Sequence, residues 1–284
     1  MGMRTKRFRM FLWGAALAAM LLAAPGGFAA QVQGKPEAGA PVEVADTRTL
    51  VDLAGRRVVI PARVNRVASL TGPSFETVIM LGAVDQVAIT GNRWAGSGWA
   101  AKVCPAYAKV PVTRNATEPN IEELMELGVD VVLFWDAYPE VIESLNKVGI
   151  PVIVTQLKDD GIDTREEFVA LKKKEIMLVG EVFGGAALKK ARKWCDYVDR
   201  TVGYVTGRTG GLDPTSLPSV YYVRGPESLS IHGGESYTRY LVDLAGGDLV
   251  SRKDRKLLYT TTMEQVMEWN PAYIFMGRVN TTSS

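Results

Sequence analysis

Apolar residues recur at helical spacing along residues 164–205, and the rest of the chain is organised around this stretch. Thr164 and Glu167 have the spacing of a capping box, and an apolar stripe follows them as far as a Gly-Gly pair at 184–185. A second stripe continues to about Val205, so two consecutive helices are predicted. The second helix has roughly 20 residues and a length of about 30 Å at 1.5 Å per residue. It is predicted to join two lobes, because strand and helix patterns alternate on both sides of it.

The segment before these helices predicts an α/β lobe with a parallel sheet. Four apolar runs predict strands, at 66–70, 84–90, 129–134 and 151–155. Helical patterns separate the runs, with Ser74 and Asn120 as expected N-caps. Because the runs are apolar throughout, they are typical of parallel strands that helices cover on both faces. An alternating stretch before them predicts a small hairpin that covers the lobe.

A second lobe is predicted after the long helix. Residues 122–134 and 264–276 align at a constant offset that places Met125 opposite Met267, so the two lobes are predicted to be built alike. The strand at 272–276 is expected to be buried. Another helix and strand follow this unit in the first lobe but not in the second, so the second lobe is expected to be truncated.

The fold class is therefore α/β, with two three-layer lobes, mainly parallel sheets and one long connecting helix. The predicted segments are a signal peptide at 1–30, a flexible leader at 31–45, a first lobe at 46–163, a helical segment at 164–207 and a second lobe at 208–284.

The N-terminus predicts export. Four cations precede an apolar run at 10–24, and small residues follow it, which is the order of a secretory signal peptide. The run is too short to favour a membrane span, and no cysteine follows it to accept a lipid. The mature protein is expected to be soluble and extracytoplasmic, for example periplasmic. Loss of four cations and no acids leaves 29 cations against 31 acids, so nucleic-acid binding is not expected.

The sequence contains few catalytic or metal-binding signals. His232 is its single histidine, which excludes a cluster of several histidines, and no P-loop, paired CxxC or GxSxG motif occurs. No resident cofactor is predicted. His232 is interpreted either as a plain loop histidine or as an axial ligand to a macrocycle metal. Cys104 and Cys195 either form a disulfide or remain separate thiols.

Ligand contacts are expected where the parallel strands end, because ligands bind beyond the carboxyl ends of such strands. Aromatic rings there offer contact area, and arginines offer paired hydrogen bonds to anions. Each aromatic residue has the alternative of simply covering the lobe. The candidate ligand contacts are Asn92, Arg93, Trp94, Trp135, Tyr138, Arg224, His232 and Arg278.

Several segments together resemble a known family. They are residues 66–83, 120–134, 149–154, 233–247 and 263–275. In this order they resemble the periplasmic substrate-binding proteins of ABC importers for iron-siderophores, haem and vitamin B12. The resemblance implies a shallow site between two lobes, limited hinge motion, and docking on a permease through one acid on each lobe. Glu76 matches the first acid. The second aligns near Tyr240, where Glu235 and Asp243 are the nearby acids.

These observations predict a non-enzymatic, monomeric solute-binding protein. Its expected ligand is a metal chelate, an iron-siderophore or a corrinoid, which it delivers to the permease of an ABC importer. A haem-binding protein is the first alternative. An exported enzyme that modifies a chelate or tetrapyrrole through Asp136 or Glu227 is the second, and a sensor or scaffold for a protein partner is the third.

Overall fold

The structure is a computed structural model that describes residues 46–277, apart from residues 94, 97, 159, 160 and 226. The predicted signal peptide and leader, together with the candidate contacts Trp94 and Arg278, lie outside the described residues.

Helices and strands alternate along most of the described chain. The helices are α1 (Gly72–Leu81), α2 (Gly98–Val103), α3 (Ile121–Glu126), α4 (Pro139–Lys147), α5 (Arg165–Phe183), α6 (Gly185–Thr209), α7 (Tyr237–Ala245) and α8 (Met263–Trp269). The strands are β1 (Thr47–Val51), β2 (Arg57–Pro61), β3 (Val67–Ser69), β4 (Val87–Thr90), β5 (Val131–Trp135), β6 (Val152–Gln156), β7 (Ser219–Val223), β8 (Ser230–His232), β9 (Asp248–Leu249), β10 (Leu258–Thr260) and β11 (Tyr273–Met276).

The first lobe contains the parallel sheet that its apolar runs predict. Its strand order is β4-β3-β5-β6, and every pairing is parallel. β3, β4 and most of β5 and β6 are buried, as expected for strands that are covered on both faces. The main hydrophobic core surrounds this sheet. The predicted hairpin is the antiparallel pair β1–β2, and the backbone N–H of Leu53 in its turn donates to the carbonyl of Val154 in the middle of β6.

The start of α1 differs from the expectation. Thr71, and not Ser74, occupies the N-cap position, and the Ser74 hydroxyl lies inside the first turn and donates to the carbonyl oxygen of Thr71. Pro73 in the first turn explains the earlier start, since a proline there needs no hydrogen-bond acceptor. The predicted cap at Asn120 is confirmed, because its side chain accepts from the N–H of Glu123.

The two consecutive helices are α5 and α6. Thr164 and Glu167 form the predicted capping box, in which each side chain accepts a hydrogen bond from the other residue's backbone N–H. Gly184 ends α5 with a φ of 69°, a conformation that favours glycine, and α6 then extends over 25 residues. At 1.5 Å per residue this helix is about 37 Å long. None of the helices in the described ranges is both long enough and apolar enough to cross a membrane.

The second sheet is mixed, whereas the sequence predicts mainly parallel sheets. Its order is β10-β8-β7-β11, with β9 also paired to β7. β7 pairs in parallel with β9 and β11, but β8 is antiparallel to both β7 and β10. Two small apolar clusters, one centred on Val220 and the other on Val223, lie beside this sheet.

The expectation that β11 is buried is wrong. Its four residues are between 55% and 59% exposed, because β11 is the edge strand of its sheet. The equivalent strand of the first lobe, β5, lies between two neighbours and is largely buried. An apolar run can therefore occupy either position, and the sequence repeat does not extend to burial.

The lobes contact each other where the chain enters α5. The hydroxyl of Tyr240 in α7 donates to the carbonyl of Ile162 at 2.5 Å, and Arg239 Nη2 donates to the carbonyl of Asp163 at 2.6 Å. The ring of Tyr240 also stacks on Phe168 of α5, with centroids 5.2 Å apart and planes at 16°. α7 is thus joined to the helical segment by both polar and aromatic contacts.

Candidate functional site

The first group of candidate contacts lies at the carboxyl end of β5. Trp135 is the last residue of that strand, and Tyr138 occupies the N-cap position of α4. Their rings meet edge to face, with centroids 5.5 Å apart and planes at 73°. The Trp135 indole Nε1 is buried and has no hydrogen-bond partner among the described residues. We call Trp135 and Tyr138 the Trp–Tyr pair.

Asp136, next to the Trp–Tyr pair, joins the ends of two strands. Its Oδ1 accepts a hydrogen bond of 2.6 Å from the backbone N–H of Lys158, and its own N–H donates to the carbonyl of Gln156 at the end of β6. Both bonds are to backbone atoms, so this carboxylate has a local role in shaping the edge of the sheet.

Asn92 and Arg93 follow β4 in a turn. The N–H of Asn92 donates to Thr90 Oγ1 at 3.1 Å, and Thr90 Oγ1 also lies 2.8 Å from the hydroxyl of Tyr107. Burial is the main cause that raises the pKa of Tyr107, so this phenol stays protonated. Asn92 is partly buried and Arg93 is exposed. The buried hydroxyl groups of Thr90 and Tyr107 therefore stabilise this turn.

The loop after β3 contributes internal hydrogen bonds. The Ser69 and Ser74 hydroxyls lie 2.6 Å apart, and the Thr71 and Thr155 hydroxyls lie 3.2 Å apart. All four residues are buried. The hydroxyl groups of this loop therefore join β3, α1 and β6 to one another.

The second group of candidate contacts surrounds His232 at the end of β8. Its Nδ1 lies 2.6 Å from Thr238 Oγ1 in the first turn of α7. The imidazole stacks on Tyr222 of β7, with centroids 5.8 Å apart and planes at 5°, and meets Tyr237 edge to face at 5.3 Å. His232 is 7% exposed. We call Tyr222, His232, Tyr237 and Thr238 the histidine cluster.

The histidine cluster lies in the field of a cation. Burial, and then the positive charge of Arg224, lower the pKa of His232 from its ordinary 6.5, so the ring is neutral at pH 7. Burial is also the main cause that raises the pKa of Tyr237, and the charge of Arg224 opposes that shift. Arg224 itself is exposed directly after β7. Arg224 is thus an exposed cation beside aromatic hydrogen-bond donors, an arrangement that suits an anion.

The structure brings the predicted residues together in two groups, one on each lobe. Trp135 lies with Tyr138, and Arg224 lies with His232, but no hydrogen bond or ring contact among the described residues joins one group to the other. Sequence reasoning missed Tyr222 and Tyr237. The period of two along a strand places Tyr222 on the same face as Arg224, so this signal was available.

The described part of the chain contains no group of three or more His, Cys, Asp or Glu residues that could hold a metal ion. Cys104 and Cys195 are free thiols, which decides between the two alternatives for the cysteines.

The acids expected to dock on a permease have different surroundings. Glu76 is exposed on α1, and Glu235 is exposed before α7. Asp243 instead forms salt bridges with Arg239 and Arg252. Of the two acids near Tyr240, Glu235 is therefore the one accessible to a partner.

A parallel sheet with its helices, and aromatic and polar side chains at the strand ends, are typical of α/β proteins that bind ligands beyond the carboxyl ends of their strands. The chain belongs to the periplasmic binding protein family, whose model matches residues 67–283. It is a non-enzymatic, solute-binding protein of an ABC transporter that acts outside the cytoplasm. The family predicted from the sequence is confirmed, and the alternative of an exported enzyme is wrong.

Particular relatives share the fold. The chain is 25% identical over 248 residues to the molybdate-binding protein MolA of Haemophilus influenzae, covering 81% of this chain and 68% of MolA. The structure of MolA with molybdate superposes with a TM-score of 0.72, at 22% identity, over 82% of this chain and 75% of that one. The haem-binding protein HmuT gives a TM-score of 0.55, at 20% identity, over 84% of this chain and 74% of that one.

Proposed function

We propose that this chain captures an anionic metal species between its lobes and delivers it to an ABC importer, and that a compact oxyanion of the molybdate type fits best. The observation that carries the proposal is the position of Arg224, exposed at the carboxyl end of β7 and beside the neutral histidine cluster. The likeness to MolA supports the same ligand class.

Arg224 supplies the charge that such a ligand needs. A guanidinium donates paired hydrogen bonds to two oxygens of one anion, and tyrosine hydroxyls add further donors. The rings of Tyr222 and Tyr237 are both held against His232. We assign His232 a positioning role, because its ring is 7% exposed and its Nδ1 is bonded to Thr238. This role replaces the axial ligation to a haem iron that the sequence allowed.

A metal chelate is the second candidate ligand, and the Trp–Tyr pair favours it. Trp135 has a buried indole N–H without a partner in the described ranges, and the two rings offer apolar contact area to a bulky ligand. Ferric siderophores and corrinoids, predicted from the sequence, remain the chelates of this candidate, and haem is a further one. An oxyanion would gain most of its binding energy from the second lobe, through Arg224. A chelate would gain most of it from the first lobe, through Trp135 and Tyr138.

The complete proposed site combines both groups with their neighbours. The proposed ligand contacts on the first lobe are Asn92, Arg93, Trp94, Trp135 and Tyr138, and those on the second lobe are Arg224, Arg278 and, through its tyrosine neighbours, His232. We propose Glu76 and Glu235 as the two acids that meet the permease. We propose that the two lobes span residues 46–163 and 208–284. We also propose that the protein is a monomer and that a signal peptide at residues 1–30 directs its export.

Isothermal titration tests the proposal on the exported, processed protein. Molybdate, tungstate, sulfate, a ferric siderophore, cobalamin and haemin are titrated in turn at pH 7.5, with the quenching of tryptophan fluorescence as a second signal. Saturable binding of molybdate or tungstate, with sulfate much weaker, supports the oxyanion. Saturable binding of one chelate and of neither metal oxyanion overturns it in favour of the second candidate.

Two variants locate the binding energy. Arg224→Gln is expected to weaken oxyanion binding by about 10- to 100-fold, because a hydrogen-bonded charge pair contributes about 1.5–3 kcal/mol. Arg114→Gln removes an exposed arginine of the first lobe and serves as the matched control. Equal affinities of the two variants would show that Arg224 does not contact the ligand. Trp135→Ala is expected to weaken a chelate more than an oxyanion.

A further inference from the structure

One face of α6 carries a regular line of cations and tyrosines that the ligand site does not use. Its spacings are four, four, three, four and four residues, so all members lie on one side of the helix. Over 19 residues at 1.5 Å each, the line is about 28 Å long. All six residues are exposed, and they form what we call the α6 stripe: Lys189, Lys193, Tyr197, Arg200, Tyr204 and Arg208.

The cations of the α6 stripe form no salt bridge with the described residues. Within the described part of the chain, no carboxylate lies within salt-bridge distance of Lys189, Lys193 or Arg200. Asp196 shares this side of the helix but forms no such pair. Lys190 does not belong to the stripe, because its Nζ lies beside Gly82 at the end of α1.

The tyrosines of the α6 stripe are unusually open for aromatic residues. Tyr197 is 58% exposed and Tyr204 is 62% exposed. The guanidinium of Arg208 stacks over the Tyr204 ring at 3.6 Å from its centroid, which holds both side chains on the surface. Tyrosine rings of this kind prefer the boundary between water and lipid headgroups, while lysine and arginine pair with phosphates.

We propose that the α6 stripe holds this protein reversibly on the anionic phospholipid surface of the membrane that carries its importer. The excess of positive charge is local to the α6 stripe. The chain left by the predicted processing has 29 cations against 31 acids, so general attraction to an anionic surface is not expected of it. The stripe combines four cations with two exposed rings along one straight helix, which complements a flat array of phosphates. This inference does not depend on which ligand the cleft binds.

Vesicle sedimentation tests the inference with the exported, processed protein. At 25 mM salt, the protein is expected to sediment with vesicles that contain 30% phosphatidylglycerol and to stay in solution with pure phosphatidylcholine. Binding is expected to fall steeply by 200 mM salt, because screening weakens attraction between exposed charges. Equal sedimentation with both kinds of vesicle would contradict the proposal.

A pair of triple variants separates the α6 stripe from net charge. Lys189→Gln, Lys193→Gln and Arg200→Gln together are expected to weaken partitioning by about 100-fold, at about fivefold for each cation. Lys102→Gln, Lys109→Gln and Arg114→Gln remove three exposed cations of the first lobe and are expected to change it much less. Equal losses in the two triple variants would show that only net charge matters.

The tyrosines and a competing polyanion complete the test. Tyr197→Ser with Tyr204→Ser is expected to reduce the part of the binding that survives 200 mM salt, since rings contribute apolar contact that salt does not screen. Heparin is used as a soluble polyanion. Tight heparin binding without vesicle binding would assign the α6 stripe to a polyanionic polymer and overturn the lipid proposal. Thermal unfolding confirms that each variant is folded.

Discussion

Tyr222 and His232 lie side by side on neighbouring strands, with their ring planes only 5° apart and their centroids at 5.8 Å. The antiparallel pairing of β7 with β8 sets this register, since Val223 pairs with Ile231. Burial and then the charge of Arg224 lower the pKa of His232 and keep the imidazole neutral at pH 7, while its Nδ1 lies 2.6 Å from Thr238 Oγ1. Tyr222, a proposed hydrogen-bond donor to the ligand, is therefore packed against a neutral ring.

The first prediction concerns stability at acidic pH. Burial and Arg224 hold the folded-state pKa of His232 below its ordinary 6.5. Below about pH 6.5 the unfolded chain therefore binds a proton that the folded chain does not, and the free energy of unfolding falls as pH falls towards the folded pKa. Urea unfolding between pH 7.5 and 5.0 is expected to show this loss. In His232→Gln the same interval should be flatter, and parallel curves for the two proteins would contradict the assignment.

The second prediction concerns the close approach of α5 and α6. A Cβ added at Gly180 would lie 2.6 Å from the Cβ of Ala191, whereas Gly203 on the same helix pair has open space around it. Gly180→Ala is expected to lower the free energy of unfolding by about 1–3 kcal/mol through overpacking. Gly203→Ala is the matched control and is expected to raise it by up to about 1 kcal/mol, since alanine favours helix. Thermal and urea unfolding measure both, and stabilisation by both would rule out the tight contact.

The third prediction concerns the hairpin that covers the first lobe. Asp52 is fully buried, and its carboxylate accepts hydrogen bonds from Arg56 Nη2 at 2.6 Å and from the N–H of Val154 at 3.1 Å. Asp52→Ala is expected to destabilise the fold by about 3–5 kcal/mol, because it leaves the backbone donors and Arg56 without their acceptor.

An exposed ion pair provides the control for that experiment. Glu143 and Lys147 lie one turn apart on α4, with side chains that are 68% and 71% exposed. Glu143→Ala is expected to leave the free energy of unfolding almost unchanged, because solvent and salt screen an exposed ion pair. Urea unfolding of both variants makes the comparison, and similar costs would mean that the hairpin contributes little to the lobe.

The fourth prediction concerns the contact between α7 and the helical segment. Tyr240→Phe removes the hydroxyl that donates to the carbonyl of Ile162 but keeps the stack on Phe168. It is expected to cost about 0.5–1.5 kcal/mol, whereas Tyr240→Ala also loses the stack and is expected to cost about 3–5 kcal/mol. Hydrogen exchange of the α7 amides distinguishes a local effect from a global one. Equal protection in wild type and Tyr240→Ala would show that the contact does not hold α7.

Local signals in the sequence determined much of the fold. The capping box at Thr164, the caps at Asn120 and Thr262, and the apolar runs of the first sheet are each specified by residues close to one another in the chain. A cap forms from residues three apart, and a strand that is buried on both faces is apolar throughout, so short windows carry this information. The order of such segments also identified the family.

Ser74 and β11 show where local information was insufficient. Serine is a residue type that commonly caps helices, but Pro73 allows α1 to begin before Ser74. The Ser74 hydroxyl instead donates to the carbonyl oxygen of Thr71 and lies beside the Ser69 hydroxyl. β11 has the apolar run of a buried strand but lies at the edge of its sheet. Whether an apolar strand is buried depends on which elements pack against it, and those are distant in sequence.

The sequence by itself determined the class of fold, the family, the connecting helices and the residue types at the strand ends, because these depend on periodicity and composition. Only the tertiary structure decided that His232 is a buried, neutral ring between two tyrosines, that Cys104 and Cys195 stay apart as free thiols, and that the second sheet is mixed. Pairing across strands and the burial that shifts a pKa depend on residues that meet only after the chain has folded.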